Sequence, residues 1–123
     1  MADFELTITW GQRVKIYNLF PVVGTLSEMH VSNIMRNVML GSATANELST
    51  NGITLNGLGM YTIPEKNENR PSSITMNENE IDLFASFILN LSDKRQVHLA
   101  HEDVFSRVIE QYNENHAGHE GGE

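Results

Sequence analysis

"NGITLNGLGMYTIP", residues 51–64, decides the fold, because its apolar and polar residues alternate around a glycine-bearing turn. Ile53 and Leu55 fall on one face, and Met60 or Tyr61 with Ile63 forms the returning strand. Asn56, Gly57 and Gly59 are placed to supply positive φ between them, so the stretch reads as a β-hairpin. Its "NGLG" is no phosphate loop, since the lysine and the strand–loop–helix setting are both missing.

On either side the apolar spacing is helical. In "TWGQRVKIYNLF", residues 9–20, Trp10, Val14, Tyr17 and Phe20 mark one helix face. Thr9 is a suitable N-cap, Pro21 stops the helix and Gly24 permits the turn. A second helix is expected from Leu26 to Leu40, with Leu26, Met29, Ile34, Met35, Val38 and Met39 in period, Thr25 and Glu28 as a capping box, and Gly41 as a left-handed terminator. Its three methionines suit core filling better than a soft binding groove. A short turn is expected at Thr44–Leu48.

Beyond the hairpin, "PEKNENRPSS" is a polar loop and Ile74–Met76 a third short strand. Asn77 and Glu80 cap a helix over Glu78–Leu91, whose stripe is Ile81, Phe84, Ile88 and Leu91, widened by Leu83 and Phe87. "SDKR" breaks it. A last helix starts between Val97 and Ala100 and runs to Tyr112, with Val97, Leu99, Val104, Phe105, Val108, Ile109 and Tyr112 expected inside. The layout predicts a small α+β domain over residues 1–113, about four helices packed with a two- or three-stranded antiparallel hairpin sheet, followed by a flexible acidic, glycine- and histidine-containing tail at 114–123.

Composition narrows the function. The chain has 123 residues, an ordinary single-domain size, with 40% apolar and 20% charged residues. No apolar run is long enough to span a bilayer, and the N-terminus lacks the pattern of a secretory signal, so a cytoplasmic protein with no membrane association is expected. The absence of cysteine removes disulfides, thiolate nucleophiles and Cys-based metal sites. Sixteen acidic against eight basic residues give a net charge of -8, which argues against direct binding to nucleic acid.

The only arrangement suggesting chemistry is at the C-terminal end. His98, His101 and Glu102 could share one side of a helix, and His116 and His119 form a second His-x-x-His pair. The second pair lies in a glycine-rich stretch that nothing in the sequence fixes, and the spacing differs from that of a metalloprotease helix. No metal or other cofactor and no catalytic residue is therefore assigned. No serine sits in a nucleophile elbow, and Glu78, Glu80 and Asp82 are explained by helix capping and dipole effects.

The opening "LTITWGQRVKIYNLFPVVGTL" and the later "ITMNENEIDLFASFILNLSDKRQVHLAHEDVF" together resemble, in layout, small accessory proteins of tailed bacteriophages. The likeness covers most of residues 6–112 and carries no diagnostic motif, so it transfers no site residue. It implies a phage accessory or assembly protein that acts by binding. The missing catalytic constellation and the surplus of apolar residues lead to the expectation of a non-enzymatic homo-oligomer that binds a host or defence macromolecule in the host cytoplasm, with Phe4, Trp10, Tyr17 and Phe20 extending an apolar interaction surface. Two alternatives follow. One is a virion-associated assembly component, whose Gly118, Gly121 and Gly122 thread along neighbouring subunits. The other is an oligomeric sponge for a signal nucleotide, anchored by Arg13, Lys15, Arg36, Lys94, Arg95 and Arg107.

Overall fold

The chain enters a strand before its first helix. "FELTIT" sets Leu6 and Ile8 against Glu5 and Thr7, and in the computed structural model, which describes residues 3–121 and side chains as far as residue 117, Phe4–Thr9 form β1 with Leu6 and Ile8 buried. The partner of β1 is β4, Pro71–Met76. The expected third hairpin strand thus belongs to a separate two-stranded antiparallel sheet. Among the described residues the fold is α+β, with five α-helices and two small sheets. They form two compact units, 7–74, and 3–6 with 75–121.

In the unit Thr7–Ile74, α1 (Trp10–Leu19) starts at a full capping box: the Thr9 hydroxyl accepts from the Gln12 N–H at 3.1 Å, and the Gln12 side chain accepts from the Thr9 N–H at 3.0 Å. The next two free amides, of Trp10 and Gly11, donate to the carbonyls of Arg70 and Glu68 at 3.0 and 2.9 Å. The first turn of α1 therefore has acceptors for its otherwise orphaned donors. The Thr25–Glu28 box opens α2 (Leu26–Arg36) as expected. The α-helix does not reach Leu40. A π-helical turn at Asn37–Gly41 replaces its last turn, closed by the Ser42 N–H on the Asn37 carbonyl at 2.9 Å. Termination by this wider turn needs no left-handed residue, so Gly41 lacks the expected positive φ, which is found instead at Gly52 and Gly59. Leu26 is exposed rather than core, because α2 buries residues only from Ser32 onward.

The expected turn at Thr44 is a short helix, α3 (Ala45–Thr50). The hairpin is present but brief: β2 (Thr54–Leu55) pairs antiparallel with β3 (Tyr61–Thr62). Only Gly59 among its turn residues takes positive φ, at 77°. Asn56 shapes the turn with its side chain, accepting from the Leu58 and Met60 amides at 2.8 and 3.2 Å. This makes positive φ at Asn56 and Gly57 unnecessary. Trp10, Val14, Leu40 and Ile53 form a buried cluster with Tyr17, Ala43, Leu48, Tyr61 and Ile63 packed against it.

In the other unit, the Asn77–Glu80 box opens α4 (Glu78–Asp93), which buries Ile81, Phe84, Ala85 and Ile88. It packs on α5 (Glu102–Gly121), where Phe84 meets Phe105 edge-on with ring centroids 5.9 Å apart. A short 3₁₀ turn at Leu99–His101 precedes α5, so Val97 and Leu99 fall outside the helix; Leu99 is 85% exposed and neither is core. Nor does α5 stop at Tyr112. It carries on through the first part of the expected tail. No helix among the described residues is long and apolar enough to cross a membrane.

Candidate functional site

Two arginines of the Thr7–Ile74 unit have opposite surroundings, and the contrast locates the site. Arg13 leaves α1 on its inner face and is buried. Its Nε donates to the Met39 carbonyl at 2.7 Å, Nη1 to the Ser72 hydroxyl at 2.8 Å, and Nη2 to the Ser42 hydroxyl at 3.3 Å, while the guanidinium lies over Trp10 at 4.3 Å. Burial pulls its pKa down, and nearby Glu47 pulls it back up. With its donors matched in this way, Arg13 is a framework residue.

Arg36, in the last turn of α2, is not so provided for. Its Nη2 donates to the Phe20 carbonyl at 3.1 Å and its guanidinium stacks over the Tyr17 ring at 4.7 Å. The Nε–H is buried and has no acceptor, a deficit of roughly 1–3 kcal/mol for an ordinary buried donor. Among the described residues no carboxylate lies within ion-pair distance of it. Tyr17 in turn meets Tyr61 edge-on at 5.0 Å. Tyr61 is fixed through its backbone, since the Asn18 amide donates to its carbonyl at 2.9 Å and accepts from its N–H at 3.1 Å. Tyr17, Asn33, Arg36, Asn37, Gly41 and Tyr61 thus line a cleft of about 240 Å³. The π turn forms one wall. The Asn37 side chain lies over Gly41, where any Cβ would collide with it, and π turns recur at functional sites.

Beside the cleft the surface changes character. Val22 is 64%, Val23 83% and Leu26 89% exposed, and Leu19 is also exposed. Leu26, Ser27, Met29, His30 and Asn33 line a shallow depression, so Asn33 belongs to both features.

No known protein family, curated protein or solved structure matches this chain. The assignment therefore rests on geometry.

The structure redistributes the residues expected from sequence to form an interaction surface. Trp10 and Phe20 are buried, and neither offers an open surface; Phe4 and Tyr17 are half-buried, Tyr17 as a wall of the cleft. Among the described residues no group of three or more metal-ligating side chains is brought together. His98 Nδ1 accepts from the Ala100 amide at 3.0 Å, His101 is buried with its ring 5.5 Å from Phe105, and Glu102 is exposed. His116 is carried by α5 to Asp82 at 2.9 Å and to the Tyr112 ring, while the His119 side chain lies outside the described residues. Of the candidate phosphate anchors, Arg13 is internal, Lys15 lies 3.5 Å from Glu68 and Arg107 3.2 Å from Asp103. Sequence reasoning missed the apolar corner, although "LFPVVGTL" carries its signal: apolar residues on both sides of a proline, in a connection that should be polar.

Proposed function

We propose that this chain is a non-enzymatic interaction protein that binds a macromolecular partner, host or viral, through the apolar corner between α1 and α2. The observation that carries the reading is the exposure of Val22, Val23 and Leu26 within five residues of each other. Burying a valine or leucine side chain in an interface gains roughly 1.5–3 kcal/mol, so a partner that covers all three gains a substantial part of a stable association. Asn33 and Arg36 border the corner with polar donors, the usual arrangement of a contact patch with an apolar centre and a polar rim. A host or defence protein is proposed as the partner on the resemblance in layout to phage accessory proteins. The nucleotide-sponge reading has less support, because Arg13 is already engaged within the fold and Lys15 lies beside Glu68.

The test is capture of partners from the native host by tagged wild type and by the V23D/L26D double variant, each checked for an unchanged thermal melt. Loss of a partner in the double variant, with retention in an L58D control at the exposed hairpin tip, is expected. A partner held equally by all three proteins would reject the corner. Light scattering after size exclusion adds an arm: a wild-type dimer that V23D/L26D dissolves would make a second copy of this chain the occupant.

A further inference from the structure

We infer that the cleft at Arg36 is a recognition site for a carboxylate carried on a short apolar body. This does not depend on the proposed contact corner. A guanidinium has five N–H donors and no acceptor; the fold takes one of Arg36's for the Phe20 carbonyl, closes the Nε–H off from solvent without an acceptor, and gives the Nη1 hydrogens, the ones a ligand can reach, no partner among the described residues. The protein has sixteen acidic residues, yet among the described ones none pairs with this cation. Arg107 has its carboxylate at Asp103, and Lys15 faces Glu68. Arg36 is instead held in place by Tyr17 and the Phe20 carbonyl while its surroundings supply further polar groups. The Asn33 and Asn37 amides and the Tyr17 and Tyr61 hydroxyls make no hydrogen bond within the described chain, and all four side chains line the cleft.

The chemistry of this lining selects the ligand. One guanidinium, two carboxamides and two phenols suit a single negative charge, and the planar fork of arginine matches a carboxylate. A phosphate dianion calls for a second cation or a row of backbone amides, and neither lines the cleft. The two tyrosine rings offer apolar walls to whatever carries the carboxylate. At about 240 Å³ the space is smaller than the roughly 300–1,000 Å³ of sites for drug-sized molecules. It fits a small free acid or one acidic side chain of a partner protein.

The experiment is an NMR titration of the full chain, following the Arg36 Nε–Hε signal and the amides of Asn33, Asn37 and Tyr61. The probes are benzoate, a capped glutamyl peptide, inorganic phosphate and sodium chloride at matched ionic strength. Saturable shifts confined to the cleft are expected with the first two. Tighter binding of benzoate names a free acid as the source, and tighter binding of the peptide names a protein side chain. R36Q should weaken binding about tenfold or more, the loss expected for a charge-assisted pair. Because R36Q also loses the Phe20 contact, N33D provides a second route: its carboxylate competes for the guanidinium, weakening binding without removing Arg36. Shifts no larger than those from chloride, tighter binding of phosphate than of either acid, or unchanged affinity in folded N33D and R36Q would overturn the assignment.

Discussion

Arg13 shows what one side chain can hold together. It reaches Met39, Ser42 and Ser72 from α1, residues separated by 26 to 59 positions in the chain. Lysine in its place keeps the charge but has neither the planar fork nor the reach to satisfy all three, so R13K is expected to lose roughly 2–4 kcal/mol in urea unfolding. Glu47, at the N-terminus of α3, acts through protonation. Its carboxyl is held below the ordinary glutamate range, first by the Thr44 backbone N–H and then by the Thr44 hydroxyl, with a smaller contribution from Arg13. The folded state thus binds fewer protons than the unfolded chain, so the contribution is complete above the ordinary glutamate pKa and is lost as pH falls through the depressed folded value. Between about pH 6 and pH 3, the α3 amides should lose hydrogen-exchange protection in wild type. E47Q should show the weaker protection at both pH values and little change between them.

The α1 start is where an element depends most on one small residue. A Cβ on Gly11 would lie 2.7 Å from the Glu68 carbonyl oxygen, the same oxygen that accepts the Gly11 N–H. G11A must push the 65–70 segment away and give up that bond, at a cost of about 1–3 kcal/mol in thermal or urea unfolding. A cost under 0.3 kcal/mol, on the order of an ordinary surface substitution, would show that the close approach is not needed. Three helix starts were legible from sequence because their determinants are local: Thr9, Thr25 and Asn77 each cap with a residue three positions on, whereas α3 was expected only as a turn and α5 begins later than expected, at Glu102. The α4 stripe was legible for the same reason. Two helix ends were not, since the π turn after Arg36 and the continuation of α5 past Tyr112 depend on hydrogen bonds and packing rather than on a stop residue, whereas Pro21 marks the end of α1 at Leu19. In β1 a period-two pattern was present, but only six residues long and next to a strong helix signal. The candidate site was less legible still. Arg36, Tyr17 and Tyr61 come from three separate elements, and nothing in their spacing announces that they meet.

For the whole molecule, a net charge of -8 makes copies of the chain repel one another at neutral pH, which opposes unspecific association through the open apolar corner. The β1–β4 pairing has a different consequence, one of time. Residues 4–9 are made about sixty positions ahead of their partners at 71–76. At typical synthesis rates of about 5–20 residues per second, the delay is on the order of 3–12 s. Throughout it β1 has an unsatisfied edge, and its pairing must await closure of a long loop, the slow kind of contact. Hairpin and α1 can form within their own stretch of chain in that interval. A strand made this far ahead of its partner is therefore secured only once residues 71–76 have been made.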